Sequence, residues 1–250
     1  MTFTLGMPLL VEFALFALAV IVLVAGIIRP TPRGYAAEDQ DQQPAGTAVG
    51  WATLCGLLAI LGLTFLATEG GSILRGSFVQ DGLAIFAKQL FIASAALSVL
   101  GSLTIRHDAF TRRASEYHFA LVASLLGMCV LASSRELVLL FVGFELMSIP
   151  LFLLTGFLKR DAVAPEAAMK FFLVGTASSA IIVYGMSFVY GVAGSTSFDA
   201  IPAAMAGGHP LMMLGMALLL AGLGFKIAAF PFHMWAPDTY EAATTPFVAW

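Results

Sequence analysis

The sequence predicts an all-α polytopic membrane protein with about seven or eight transmembrane helices. Of its 250 residues, 60% are hydrophobic and only 11% are charged, and its mean hydropathy is +0.94. The apolar residues also gather into stretches near the ~20 residues that cross a bilayer. A water-soluble domain needs more polar surface than this.

The stretches run in order as Leu5–Ile28, Val49–Leu66, Gly82–Ile105, Tyr117–Ala132, Leu137–Phe157, Pro165–Val192 and Leu211–Trp235, with an eighth beginning near Thr245. The first is too long for a cleaved signal peptide, and no Lys or Arg precedes Arg29. It therefore reads as a retained span. Residues 29–48, rich in Pro, Gly, Gln and acid, predict a disordered loop. Residues 193–210 predict a second flexible stretch, and no soluble domain fits between the spans. The organisation expected is residues 1–80 as the first two spans with the polar loop, then residues 81–250 as spans three to eight.

Loop charges orient the chain. The odd loops hold Arg29, Arg33, Arg106, Arg112, Arg113, Lys159 and Arg160, whereas the even loops hold Arg75 and Arg135. The odd loops are thus expected in the cytoplasm and the N-terminus outside. A net charge of −3 without a basic cluster argues against nucleic acid. Cys55 and Cys129 stand far apart in apolar runs and read as small packing residues, not metal ligands. Nothing in the sequence has the pattern of a flavin, nucleotide, haem or iron–sulfur site.

Five charged residues fall inside predicted spans: Glu12, Lys88, Glu145, Lys170 and Lys226. Each ionisable group at bilayer depth costs about 2.5–3.5 kcal/mol on insertion scales, so it needs a partner, a wet cavity or a route to the interface. Glu145, in "FVGFELMSIPLF", lies nine residues past Glu136, roughly 14 Å along a helix and close to mid-membrane. Lys226 is similarly deep, roughly 22 Å from Leu211 and 14 Å from Trp235. Lys170 lies roughly 8 Å inside its end, shallow enough to snorkel or to function. Glu12 and Lys88 are expected near the outer face, in interfacial or structural roles, with tips that reach the headgroups.

Pro150 and Pro231 each follow a deep charge, Glu145 and Lys226, by five residues. A proline leaves the carbonyl four residues back without its helical donor, here at Leu146 and Ile227, and a water can be held there beside an ion. "FKIAAFPFHMWAPDTYEAATTPF" (225–247) holds three prolines besides His233, Asp238 and Glu241. It predicts a broken helix near 226–240 with His233 as an interfacial or relay group. "GTASSA" (175–180) predicts close helix packing without chemistry. If Glu145 and Lys226 face each other, each stabilises the other's charge. The pair is then a proton relay switched electrostatically, with Lys170 as a candidate next acceptor.

"GFELMSIPLFLLTGF" (143–157), "EAAMKFFLVGTASSAIIVYGMSFVYGVAG" (166–194) and "GLGFKIAAFPFHMWAPDTYEAATTPFVAW" (222–250) resemble the antiporter-like subunits of respiratory complex I, the NADH–quinone oxidoreductase, and among them the N type. "VQDGLAIFAKQLF" (79–91) is similar to their third span. The resemblance runs from about Asp81 to Trp250. It implies a fourteen-helix fold with two inverted five-helix units and proton translocation driven by quinone reduction elsewhere in the complex. It also implies that Glu145, Lys170 and Lys226 serve as the proton-carrying residues of spans five, six and seven, with His233 in a "PFHxW" stretch. No cofactor is implied in this chain, while the whole complex uses NAD and quinone. The implied surroundings are a bacterial inner membrane and the A-, J-, K-, L- and M-type subunits. Members of the family are nearly twice this length, so the sequence is expected to be a fragment or a shortened form. Three other readings stay open at this point: a subunit of a multisubunit cation/proton antiporter, the arm of a membrane-bound hydrogenase, and a structural membrane subunit.

Overall fold

The computed structural model describes residues 8–28, 45–66, 71–105, 108–158, 161 and 163–250, and for residues 45–47 and 108–112 it describes the backbone alone. In chain order the helices are α1 (Leu10–Ile28), α2 (Ala45–Thr64), α3 (Gly82–Ser102), α4 (Asp108–Ala132), α5 (Leu137–Thr155), α6 (Val163–Ala193), α7 (Ile201–Ala206), α8 (Pro210–Lys226), α9 (Trp235–Ala242) and α10 (Thr245–Ala249). Among the described residues, α1, α3, the Arg113–Ala132 part of α4, α5 and α6 are long and apolar enough to cross a membrane. The Ala48–Thr64 part of α2 and the whole of α8 are shorter apolar helices. Large apolar side chains such as Phe13, Phe16, Leu97, Leu153 and Leu173 stand exposed on these helices. That distribution suits a lipid surround, since water would penalise so much contiguous apolar surface.

The seventh stretch carries the break expected near 226–240: α8 ends at Lys226 and the chain resumes helix at Trp235. Other expectations change. Residues 193–210 are not a featureless loop, because they contain α7. Most of 29–48 lies outside the described residues, but its last four residues belong to α2. Arg29, Arg33, Arg106, Lys159 and Arg160 also lie outside them. An element the apolar pattern did not predict is a small antiparallel hairpin, β1 (Gly71–Ile73) and β2 (Phe78–Gln80). Its turn holds Leu74, Arg75 and Gly76 at positive φ.

Packing divides the helices into two groups with α5 between them. One core joins α1 to α4 through Leu15, Leu57, Ile92 and Leu121. The other joins α6 to α8 through Ile182, Val189, Met212 and Leu219. Both sets of contacts depend on absent side chains. A Cβ on Gly127 of α4 would lie 2.3 Å from the Met147 nitrogen of α5, and one on Gly185 of α6 would lie 2.8 Å from the Gly215 oxygen of α8. In lipid, where no hydrophobic effect pulls helices together, such close backbone approach is a main source of association.

The hairpin ties one end of the helix bundle together. Val79 N donates to Ser133 O and Arg135 N to Ser77 O, both at 2.8 Å, and Phe198 N donates to Arg135 O at 3.1 Å. Glu136, the residue before α5, accepts hydrogen bonds from the Ser77 and Thr196 hydroxyls, which hold its carboxyl below the usual carboxylate range. The register of α5 is thereby pinned at its first residue.

Two outcomes follow from this packing. Gly127→Ala should lower the thermal midpoint of the membrane-embedded protein, because overpacking against backbone costs about 1–3 kcal/mol. Gly62→Ala, where the added Cβ meets nothing within 4 Å, should leave it equal or higher. Glu136→Gln should destabilise at neutral pH. A carboxylate whose folded pKa is depressed stabilises above its unfolded pKa of about 4.3, and that contribution is lost as pH falls through the folded value. The difference between wild type and Glu136→Gln should therefore shrink in acid, as thermal melts across a pH series would show.

Candidate functional site

Glu145 sits in the middle of α5, and Lys226 is the last residue of α8. Their side chains meet at 3.4 Å between Nζ and Oε1. Two hydroxyls complete the site. Lys226 Nζ donates to Ser148 Oγ at 2.9 Å, and Ser179 Oγ of α6 donates to Glu145 Oε1 at 2.6 Å. Lys226 is sealed, its side chain 3% exposed, while that of Glu145 is 25% exposed. An open groove on the α5–α6 face begins beside Ser179 and is lined also by Phe141, Thr176 and Ser187. Of the two charges, the carboxylate is the more exposed.

The local sequence explains the placement. Ser148 follows Glu145 by three residues, so both lie on one face of α5. Gly143 faces the other way, against Leu131 of α4, so α5 gives one side to packing and the other to charge. Lys226 ends its helix because the chain turns at Ile227 and Ala228, the latter at φ 49. The last carbonyls of α8 are not orphaned. Gly224 O accepts from Ala229 N at 2.8 Å, and Phe225 O from the Trp235 indole at 3.1 Å. Trp235 is held in turn by stacking on Phe171 of α6 at 4.2 Å. The ammonium at a helix C-terminus also meets the negative end of the macrodipole. The break therefore occurs at the lysine itself, ahead of Pro231. Pro150, by contrast, is accommodated within a continuous α5.

The remaining candidates separate from this pair. Lys170 is exposed and bridges Glu166 at 2.8 Å and Asp238 of α9 at 2.9 Å. It joins α6 to the far side of the break. His233 is exposed in the break itself, its ring 5.8 Å from that of Phe230. Of the interfacial and structural roles expected for Glu12 and Lys88, burial supports the structural one: they form an ion pair at 2.7 Å, with side chains 7% and 1% exposed, and Lys88 also lies against Phe78 and Gln80 of the hairpin. Ser148 and Ser179 are the members that composition and spacing did not single out. "GTASSA" proves to be more than packing, since Ser178 donates to Gly222 O of α8 at 2.8 Å and Ser179 to Glu145. The three-residue step from Glu145 to Ser148 was the one signal available.

Comparison with known proteins gives a consistent picture. A family model described as NADH:quinone oxidoreductase/Mrp antiporter, TM matches residues 134–250. The chain is 38% identical over 238 residues to NADH-quinone oxidoreductase subunit N of Desulforamulus reducens, covering 94% of this chain and 47% of that protein. It is 41% identical over 200 residues to the same subunit of Moorella thermoacetica, covering 79% and 42%. A chain of respiratory complex I from Thermus thermophilus superposes with a TM-score of 0.74 at 33% identity, covering 95% of this chain and 48% of that one. The chain spans about half the length of the curated relatives it matches.

The geometry makes the Glu145–Lys226 contact testable as a physical coupling. In a double-mutant cycle on thermal stability, Glu145→Gln and Lys226→Met should be non-additive by about 1 kcal/mol or more, because either single change leaves a buried partner unmatched. Additivity would show that the two side chains do not interact.

Proposed function

This chain belongs to the antiporter-like membrane-subunit family of NADH:quinone oxidoreductases and Mrp antiporters, and from that premise we propose that it is a proton-translocating membrane subunit of an NADH–quinone oxidoreductase, of the N type. The observation that carries the proposal is the ion pair between Glu145 and Lys226, bracketed by two hydroxyls at a helix break.

The chemistry follows from electrostatics. At 3.4 Å two unit charges attract by roughly 5 kcal/mol at an effective dielectric near 20, before desolvation is subtracted. While the carboxylate is charged, the ammonium keeps its proton. If Glu145 is protonated through the α5–α6 groove, or is drawn away, Lys226 holds a charge in the low-dielectric slab without a counter-charge. Its proton is then driven off. Ser148 and Ser179 supply hydroxyls that can donate and accept at the two ends of the pair. The Lys170–Asp238 bridge stands across the break from Lys226 and is the next charged group along α6. We assign Lys170 the role of onward proton carrier, one that must pass on its own proton before it takes the next because its ammonium already bridges Glu166 and Asp238, and His233 that of a titratable group at the mouth of the break. Residues from about 117 onward make up the conducting unit, and residues 1–80 provide the first spans and the polar loop.

No redox group is assigned to this chain, since NADH and quinone react elsewhere in the complex. The partners are the other membrane subunits, of A, J, K, L and M type, in a bacterial inner membrane with the N-terminus outside.

The test is made in the assembled complex in native membranes. Glu145→Gln and Lys226→Ala should each lower the rate of proton pumping by about tenfold, the effect of 1.4 kcal/mol on a barrier. Immunoblots should show normal subunit content. Normal pumping at normal content in both variants would refute the role.

A further inference from the structure

The buried pair in the first helices plays no part in the relay. Glu12 of α1 and Lys88 of α3 are 2.7 Å apart and both buried. Glu12 Oε2 has no hydrogen-bond partner among the described residues. Stability alone is a weak reason for such a pair, because apolar residues of similar volume often serve as well or better. What the pair touches is more telling. Lys88 Nζ lies 5.0 Å over the Phe78 ring and 3.5 Å from Gln80 Oε1. Phe78 and Gln80 are the two inward residues of β2, both buried. Cys129 of α4 is within electrostatic reach of both charges.

β2 in turn holds the start of α5. Val79 N donates to Ser133 O, and Arg135 N donates to Ser77 O. Phe78 is bridged to Ser134, and Arg135 pairs with Asp81 at 3.1 Å. Two residues beyond Arg135, α5 begins, and it carries Glu145 rigidly at a fixed number of turns from that anchor. A continuous set of polar contacts therefore runs from Glu12 and Lys88 through β2 and the α4–α5 turn to the helix that presents Glu145. Hydrogen bonds and ion pairs fix direction as well as distance, so this route sets both the height and the rotation of α5.

We propose that Glu12 and Lys88 are positioning residues for the proton site: by clamping β2 from beneath, they hold α5 so that Glu145 stays within reach of Lys226. The proposal rests on the functional reading above, and its effect is local to Glu145, which faces Lys226, Ser148 and Ser179.

The experiment uses the assembled complex and two readouts. The first is proton pumping. The second is modification of Glu145 by a hydrophobic carbodiimide, which attacks only the protonated carboxyl, followed against pH by mass spectrometry. The doubly apolar variant Glu12→Met/Lys88→Met leaves no unpaired charge behind. It should move the labelling midpoint of Glu145 by about half a pH unit or more and cut pumping several-fold at normal subunit content. Lys88→Arg, which keeps the charge over Phe78, should restore both. A pair that serves stability alone would lower subunit content or heat resistance and leave the Glu145 midpoint unmoved. That result overturns the proposal, as does failure of every variant, Lys88→Arg included, to assemble. Should Glu145→Gln pump normally, the proton role falls, yet the labelling midpoint still decides whether the clamp positions Glu145.

Discussion

A charge in hydrocarbon must find another charge, and the rest of this structure is arranged around that constraint. Glu145 and Lys226 come from helices far apart in sequence, and bringing them within 3.4 Å requires three helices to pack closely at one level. The glycine contacts make this possible. Gly222 lies against Ile182 and the Ser178 carbonyl, which draws α8 onto α6 one turn before Lys226. Gly127 draws α4 onto α5 beside Leu146 and Met147, next to Glu145. Bulkier residues at these positions would separate the helices by more than an ion pair can span. The packing is therefore a condition of the electrostatics.

The helix break has the same logic. An ammonium in mid-helix would be surrounded by backbone that is already paired. At the end of α8 it gains the negative end of the dipole and room to move. The segment after it is held in place, since Trp235 caps Phe225 and stacks on Phe171, while Lys170 fixes α9 to α6 through Asp238. A loose break would admit water and screen the pair. A firmly capped one keeps Lys226 sealed.

Much of this was legible in the sequence because lipid simplifies the code. Apolar length located the spans, and charges within them stood out as Glu145, Lys170, Lys226, Glu12 and Lys88. Depth made Glu145 and Lys226 candidates for a pair, and the coordinates bring them into contact. Partner choice for the others could not be anticipated. Glu12 and Lys88 have similar depth, yet only coordinates bring α1 beside α3 and place the hairpin above them. The hairpin escaped notice because three-residue strands leave no periodic trace. Ser179 escaped because a hydroxyl in a run of small residues looks the same whether it faces lipid or a carboxylate. The break after Lys226 was legible from the prolines around it, although the hydropathy of the seventh stretch continues through residues that are not helical.

The position of α5 has a mechanical consequence. It is the shared wall of both helix groups, rigid against α4 on the Gly143 face and polar toward α6 and α8 on the Glu145 face. Any displacement of α4, of the hairpin or of the α6–α8 group must either move Glu145 relative to Lys226 or be absorbed elsewhere. An ion pair at contact distance in a low dielectric loses energy steeply with separation. A shift of an ångström or two at this wall changes the proton affinity of both members at once, and it does so without any bound ligand. Under the proposed function, the energy would arrive as a change in the distance between charges, and the proton would move in response.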